Sequence, residues 1–110
     1  MSTYYIRIPD PDRARASGTF AFHSQSAPGM AEELQAALTG TDLFDRWRDS
    51  QDDPDLVDPD LGPADPAAQV TGDGDLAFDL VARTSLPGDV VRHRLRLLAG
   101  QAWELRDVRS

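Results

Sequence analysis

Apolar residues recur along this chain with two different periods. Tyr4-Tyr5-Ile6-Arg7-Ile8 alternates and is rich in β-favouring side chains until Pro9 and Pro11 stop it, which predicts a first strand. Gly18-Thr19-Phe20-Ala21-Phe22-His23-Ser24, with Phe20 and Phe22 on one side, predicts a second strand after a polar connection over 9–17. The period then lengthens. Ser26 is placed to cap a helix running to about Thr39, with Pro28 in its first turn, and Met30, Leu34, Ala37 and Leu38 form one apolar stripe. Gly40 supplies the stop, and Thr41 opens a second helix over about 42–50 that buries Leu43, Phe44 and Trp47, with Asp42 and Arg46 paired outside.

Alternation returns in the last forty residues. Leu76, Phe78, Leu80 and Ala82 form one apolar face. Leu86-Pro87-Gly88-Asp89 has the residue types of a type II turn. Over 90–98, Val91, His93, Leu95 and Leu97 oppose Arg92, Arg94 and Arg96, and Ala102–Val108 reads as a final strand. Pairing apolar with apolar residues across both turns predicts a three-stranded meander in which His93 faces Asp107. Residues 67–72 add a short strand. The expected fold is α+β: an antiparallel sheet of five to six strands, in the order β-β-α-α-(β)-β-β-β, with two short helices packed on one face.

Between the helices and the C-terminal strands the pattern fails, and composition takes over. Residues 52–66 hold four prolines and a repeated Asp-Pro-Asp-Leu at 53–56 and 58–61. Proline fixes φ, lacks an N–H and pushes its predecessor toward extended backbone, so an extended surface loop is expected, pinned to the body by Leu56, Val57 and Leu61. A loop of this length in a small domain is unusual and is often functional or disordered. The 110 residues suffice for one domain, 1–110, with one modest core.

Charge sharpens the same segment. The formal net charge is −8, yet 42–75 alone carries eleven Asp and two Arg, a net of −9. All eleven basic residues are Arg; Lys, Asn and Cys are absent. Without Cys there are no disulfides, thiolate nucleophiles or Cys-type zinc sites, and without Lys no Schiff base or P-loop lysine. The Arg, Ala, Asp, Pro and Gly bias resembles that of a high-GC bacterial genome, which would make part of the acidity mutational. No N-terminal signal pattern and no apolar run of membrane-spanning length occurs, so a cytoplasmic location with no membrane association is expected.

Three candidate sites follow. His93 with Asp107 is an imidazole–carboxylate pair of the kind wanted in a general base, with His23 as a possible third member; the plainer alternative is a hydrogen-bonded core histidine. Arg92, Arg94 and Arg96, with Arg83 opposite, form an arginine row suited to an anionic ligand, to the chain's own acidic loop, or simply to solvent. Asp52, Asp53, Asp55, Asp58 and Asp60 form the candidate partner surface. No calcium-loop pattern is completed by the aspartates, and no cofactor motif is found, so neither metal nor cofactor is expected. Nucleic acid is disfavoured as a partner by the negative field.

The Arg-rich segment followed by Gly100-Gln101-Ala102-Trp103-Glu104-Leu105-Arg106-Asp107-Val108 resembles the closing hairpin of nuclear-transport-factor-two-like (cystatin-like) domains, over about a fifth of the chain. The resemblance implies a small-molecule pocket between helices and a curved sheet, in some members with an Asp/His pair. That family usually opens with a long helix, whereas two strands are expected here. The leading expectation is a non-enzymatic interaction protein of inhibitor or immunity type, whose acidic 42–75 segment meets a basic protein partner. The alternative is a small-ligand or catalytic pocket around His93 and Asp107.

Overall fold

A computed structural model describes residues 1–110. Strand β1 spans Ser2–Ile8; helices α1 (Pro11–Arg15), α2 (Ala27–Thr39) and α3 (Asp42–Asp49) follow; then come β2 (Gln69–Gly74), β3 (Phe78–Thr84), α4 (Gly88–Ala99) and β4 (Glu104–Arg109). The four strands form one sheet in the order β2-β3-β1-β4, with every neighbouring pair antiparallel. The fold is thus α+β with a four-stranded antiparallel sheet. Topologically it is two interleaved split βαβ units, β3 lying between β1 and β2, and β1 between β3 and β4.

The alternation in β1 and β3 does what the sequence predicts. Tyr4, Ile6 and Ile8 face inward with Phe78, Leu80 and Ala82, while Arg7 and Asp79 pair at 3.1 Å on the open face. Helix α2 starts where expected, the Ser26 side chain accepting from the Gly29 N–H at 3.0 Å, and its Met30, Leu34, Ala37 and Leu38 are all buried. Against them α4 packs Val90, Val91, Leu95 and Leu98 in one continuous core. Each fully buried aliphatic side chain there contributes roughly 1.5–3 kcal/mol.

Four expectations are corrected. The segment 88–99 is a helix, and no C-terminal meander forms. Val90, Val91, Arg94, Leu95, Leu98 and Ala99 are buried at helical spacing, Asp89 and Arg96 suit the two helix ends, and Gly100 (φ +61°) closes it. The Pro87-Gly88 pair opens this helix, the Pro87 carbonyl accepting from the Val90 and Val91 N–H groups. Second, the closing strand β4 pairs with β1, so the hairpin on which the nuclear-transport-factor-two-like resemblance rests is absent. Third, residues 18–24 are not a strand. Their backbone is held by Leu98 O, which accepts from Phe22 N–H, and by Glu33, whose carboxylate accepts from the N–H groups of His23 and Ser24. Phe22 fills the core from this irregular segment. Fourth, the polar connection contains α1, capped by Asp10 and inserting Ala14 into the core. The sheet therefore has four strands rather than five or six, and four helices rather than two.

Helix α2 approaches β2 so closely at Gly72 that a Cβ there would meet the Ala27 carbonyl and the Leu80 side chain. Gly72→Val is expected to cost about 1–3 kcal/mol through this overpacking. A thermal melt monitored by circular dichroism checks it; an unchanged melting temperature would show that α2 yields.

Candidate functional site

The Asp-Pro segment is two turns of 3-10 helix, Pro54–Leu56 and Pro59–Leu61, one from each copy of the Asp-Pro-Asp-Leu repeat. Proline suits the first position of such a turn because no N–H is required there. The Asp58 carboxylate accepts from the Asp60 N–H at 2.9 Å and fixes the second turn.

This loop is tied down from both sides. Arg94, fully buried on α4, donates to Leu61 O (2.7 Å) and Pro63 O (3.2 Å), and its Nε donates to Ala37 O near the end of α2 (3.1 Å). The guanidinium also lies 5.1 Å from the centre of the Phe44 ring. Burial pulls the Arg94 pKa down, opposed by the charge of Asp45. Asp65 anchors the far end: its N–H donates to Leu38 O, and its carboxylate accepts from Thr84 Oγ1 (2.8 Å) and from the Ser85 and Ala67 N–H groups. Those bonds, the Ser85 N–H foremost, hold the Asp65 carboxyl below its ordinary pKa.

Between the anchored end and α3 the carboxylates stand free. Asp52, Asp53, Asp55, Asp58 and Asp60 are all exposed, and none forms an ion pair. Helix α3 is different: Asp42 pairs with Arg46 at 3.1 Å as expected, and Arg48 is shared by Asp45 and Asp49. A groove of about 390 Å³ runs between α3 and the loop, past Phe44, Asp49, Asp55 and Val57. Leu56, expected to pin the loop, is instead 81% exposed; Val57 and Leu61 are half-buried.

The other candidate residues are dispersed. His93 sits on α4, only 8% exposed, with its ring centre 4.4 Å from that of Trp47 and 6.1 Å from that of Phe44. Asp107 lies exposed on β4 and bonds Arg109 at 2.8 Å, which with the Val108 N–H holds its pKa down. The two are not brought together, because the register that paired them belonged to a meander that does not form. The arginine row is likewise broken up by the helix. Arg92 is half-exposed, 4.0 Å from Asp89; Arg94 is buried; Arg96 is exposed; Arg83 projects from β3. His23 is exposed at a separate cleft, its Nδ1 3.5 Å from Glu33. The anchoring roles of Arg94, Asp65 and Glu33 have no clear mark in the sequence; the faint signal at Asp65 is that it precedes Pro66, four residues past the repeat.

No group of three or more His, Asp or Glu side chains is arranged to hold a metal ion, and no helix is long and apolar enough to cross a membrane. Compared with protein-family models, curated proteins and solved structures, the chain matches none. The site therefore has to be read from its own chemistry.

Proposed function

We propose that the chain is a small non-enzymatic binding protein, of the inhibitor or immunity kind, that presents its acidic 42–75 segment to a basic protein partner. One observation carries this reading. Five carboxylates without a cationic partner are displayed between α3 and the 61–65 end of the loop, which Arg94 and Asp65 fix. Fixed charges steer a partner and lose little conformational freedom on docking. The exposed Leu56 and the groove beside α3 add apolar surface amid the charge. Arg48, seated against Phe44 at 5.9 Å and held by Asp45 and Asp49, supports the reading as a guanidinium accommodated at this acidic, aromatic surface.

The test needs a charge-matched control. One variant converts Asp52, Asp53, Asp55, Asp58 and Asp60 to Asn; a second neutralises five exposed acids elsewhere, at Asp12, Glu32, Asp75, Asp89 and Glu104. Partner capture from lysate is compared at 0.1 M and 1 M salt, where the screening length falls from about 10 to about 3 Å. The reading expects a basic protein retained by the wild type and the control variant at low salt, and lost from the loop variant and at high salt. No specific capture, or equal effects of the two variants, would overturn it.

A further inference from the structure

On the side of α3 away from the loop groove, a second concavity of about 200 Å³ opens between α2, α3 and the 19–23 segment. Leu43, Leu98, Ala36 and Ala37 make its apolar floor, and Phe20, half-buried, forms a wall. Its rim is polar: Glu33, Asp42, Arg46 and His23. An apolar cavity of roughly 150 Å³ accepts a benzene ring, so this volume suits one ring with a short arm.

The rim determines what the arm should carry. Glu33 is held rigidly, accepting from His23 N–H at 2.9 Å and Ser24 N–H at 3.1 Å, and a carboxylate so bonded still has acceptor positions free. Asp42 gives one oxygen to Arg46 Nε, leaving the other unused. Arg46 is the only arginine on the rim; it is matched by Asp42 and lies 5.9 Å from the centre of the Phe20 ring. Glu33 and Asp42 against Arg46 leave one unmatched carboxylate charge at the mouth of an aromatic-walled cleft. The net charge of −8 adds to it. A carboxylate ligand would meet this charge unfavourably, whereas an ammonium gains the Glu33 and Asp42 carboxylates.

We propose that this cleft is a binding site for a small organic amine whose aryl or compact alkyl body rests on Phe20, Leu43 and Leu98 while its ammonium engages Glu33 and Asp42. The site is independent of the acidic loop, since its apolar body contacts come from α2, α4 and the 19–23 segment as well as α3.

Three shape-matched probes test it: phenethylamine, 2-phenylethanol and 3-phenylpropionate, each titrated into the ¹⁵N-labelled protein and followed by amide chemical shifts. Phenethylamine is expected to give saturable shifts confined to 19–23, Ala36 and 42–46, and to bind more tightly than the alcohol, with the acid weakest. Ala36 is exposed on α2, so Ala36→Phe fills the cleft without disturbing the core and should abolish those shifts. Asp42→Asn, also at an exposed position, should weaken the amine by about two- to fivefold and leave the alcohol unchanged. No saturation in the millimolar range, an acid bound as well as the amine, or undiminished binding to Ala36→Phe would overturn the assignment.

Discussion

Replacing Arg94 by methionine is expected to lower the unfolding free energy by about 3–5 kcal/mol, as truncating one member of a buried charged network does. The side chain is fully buried and has no carboxylate within ion-pair distance; its charge is met by three carbonyl dipoles from two places in the chain, the end of α2 and the loop at 61–63. One of them, Ala37 O, belongs to the last turn of α2, where carbonyls lack intrahelical partners and a cation is favoured. Methionine fills most of the volume, so the loss comes from leaving Ala37 O, Leu61 O and Pro63 O facing an apolar group. Urea unfolding followed by tryptophan fluorescence measures it, Trp47 lying close to this cluster through His93. Hydrogen exchange adds a local readout: protection over 57–65 should fall well before that of α2 or β1. Lysine reaches fewer carbonyls and should recover part of the loss. A midpoint for Arg94→Met equivalent to less than about 1 kcal/mol of destabilisation would show that the loop is held by Asp65 alone.

Lowering the pH from 6.5 to about 4 is expected to remove on the order of 3 kcal/mol of stability through His93 alone. Burial among Trp47 and Phe44, reinforced by the charges of Arg94 and Arg96, pushes its pKa down from 6.5 to about 4. Its Nδ1 lies 3.5 Å from Arg94 Nη1, an arrangement that suits only the neutral ring with that nitrogen as acceptor. The unfolded chain takes up a proton near pH 6.5 while the fold resists until about 4. The His93 contribution is therefore complete above 6.5, declines across that window, and is flat below it. Asp65 and Asp107, with lowered pKa values, act in the same direction over a more acid window: their contributions are present above the ordinary carboxylate range and disappear only as the pH falls below it. His93→Gln should flatten the 6.5-to-4 window and leave the more acid loss in place. Equal slopes for wild type and His93→Gln in urea titrations at pH 7, 6, 5 and 4 would sink this account.

Because His93 and Arg94 are neighbours on one buried turn, the two predictions are coupled. Protonating His93 puts a second cation beside Arg94, so acid should loosen the 57–65 anchor as well as the core. Non-additivity in the double variant His93→Gln, Arg94→Met would report that coupling.

Strands β1 and β3 were legible because a period of two in Ile6, Ile8, Leu80 and Ala82 has one reading in a half-buried sheet. The same holds for α2, where stripe, cap and stop agree. Helix α4 was legible too, but only to a reading that tolerates a buried arginine. Counting Arg94 as a surface residue breaks the helical stripe Val90, Val91, Arg94, Leu95, Leu98 and leaves the alternation Val91, His93, Leu95, Leu97 as the cleaner pattern. That one assignment carried the meander, the His93–Asp107 pair and the arginine row with it.

The sequence by itself determined what is local: the periods of β1, β3 and α2, the caps of α2 at Ser26 and Gly40, and the Asp-Pro repeat with its concentrated charge. Tertiary structure decided what depends on partners far along the chain. Arg94 is tolerated in the core because carbonyls 33, 31 and 57 residues away converge on it, and β4 joins β1 because the crossing of α4 returns the chain to that edge. Burial of a charge is stable only when its hydrogen-bonding partners are supplied together, and no local pattern records whether they will be.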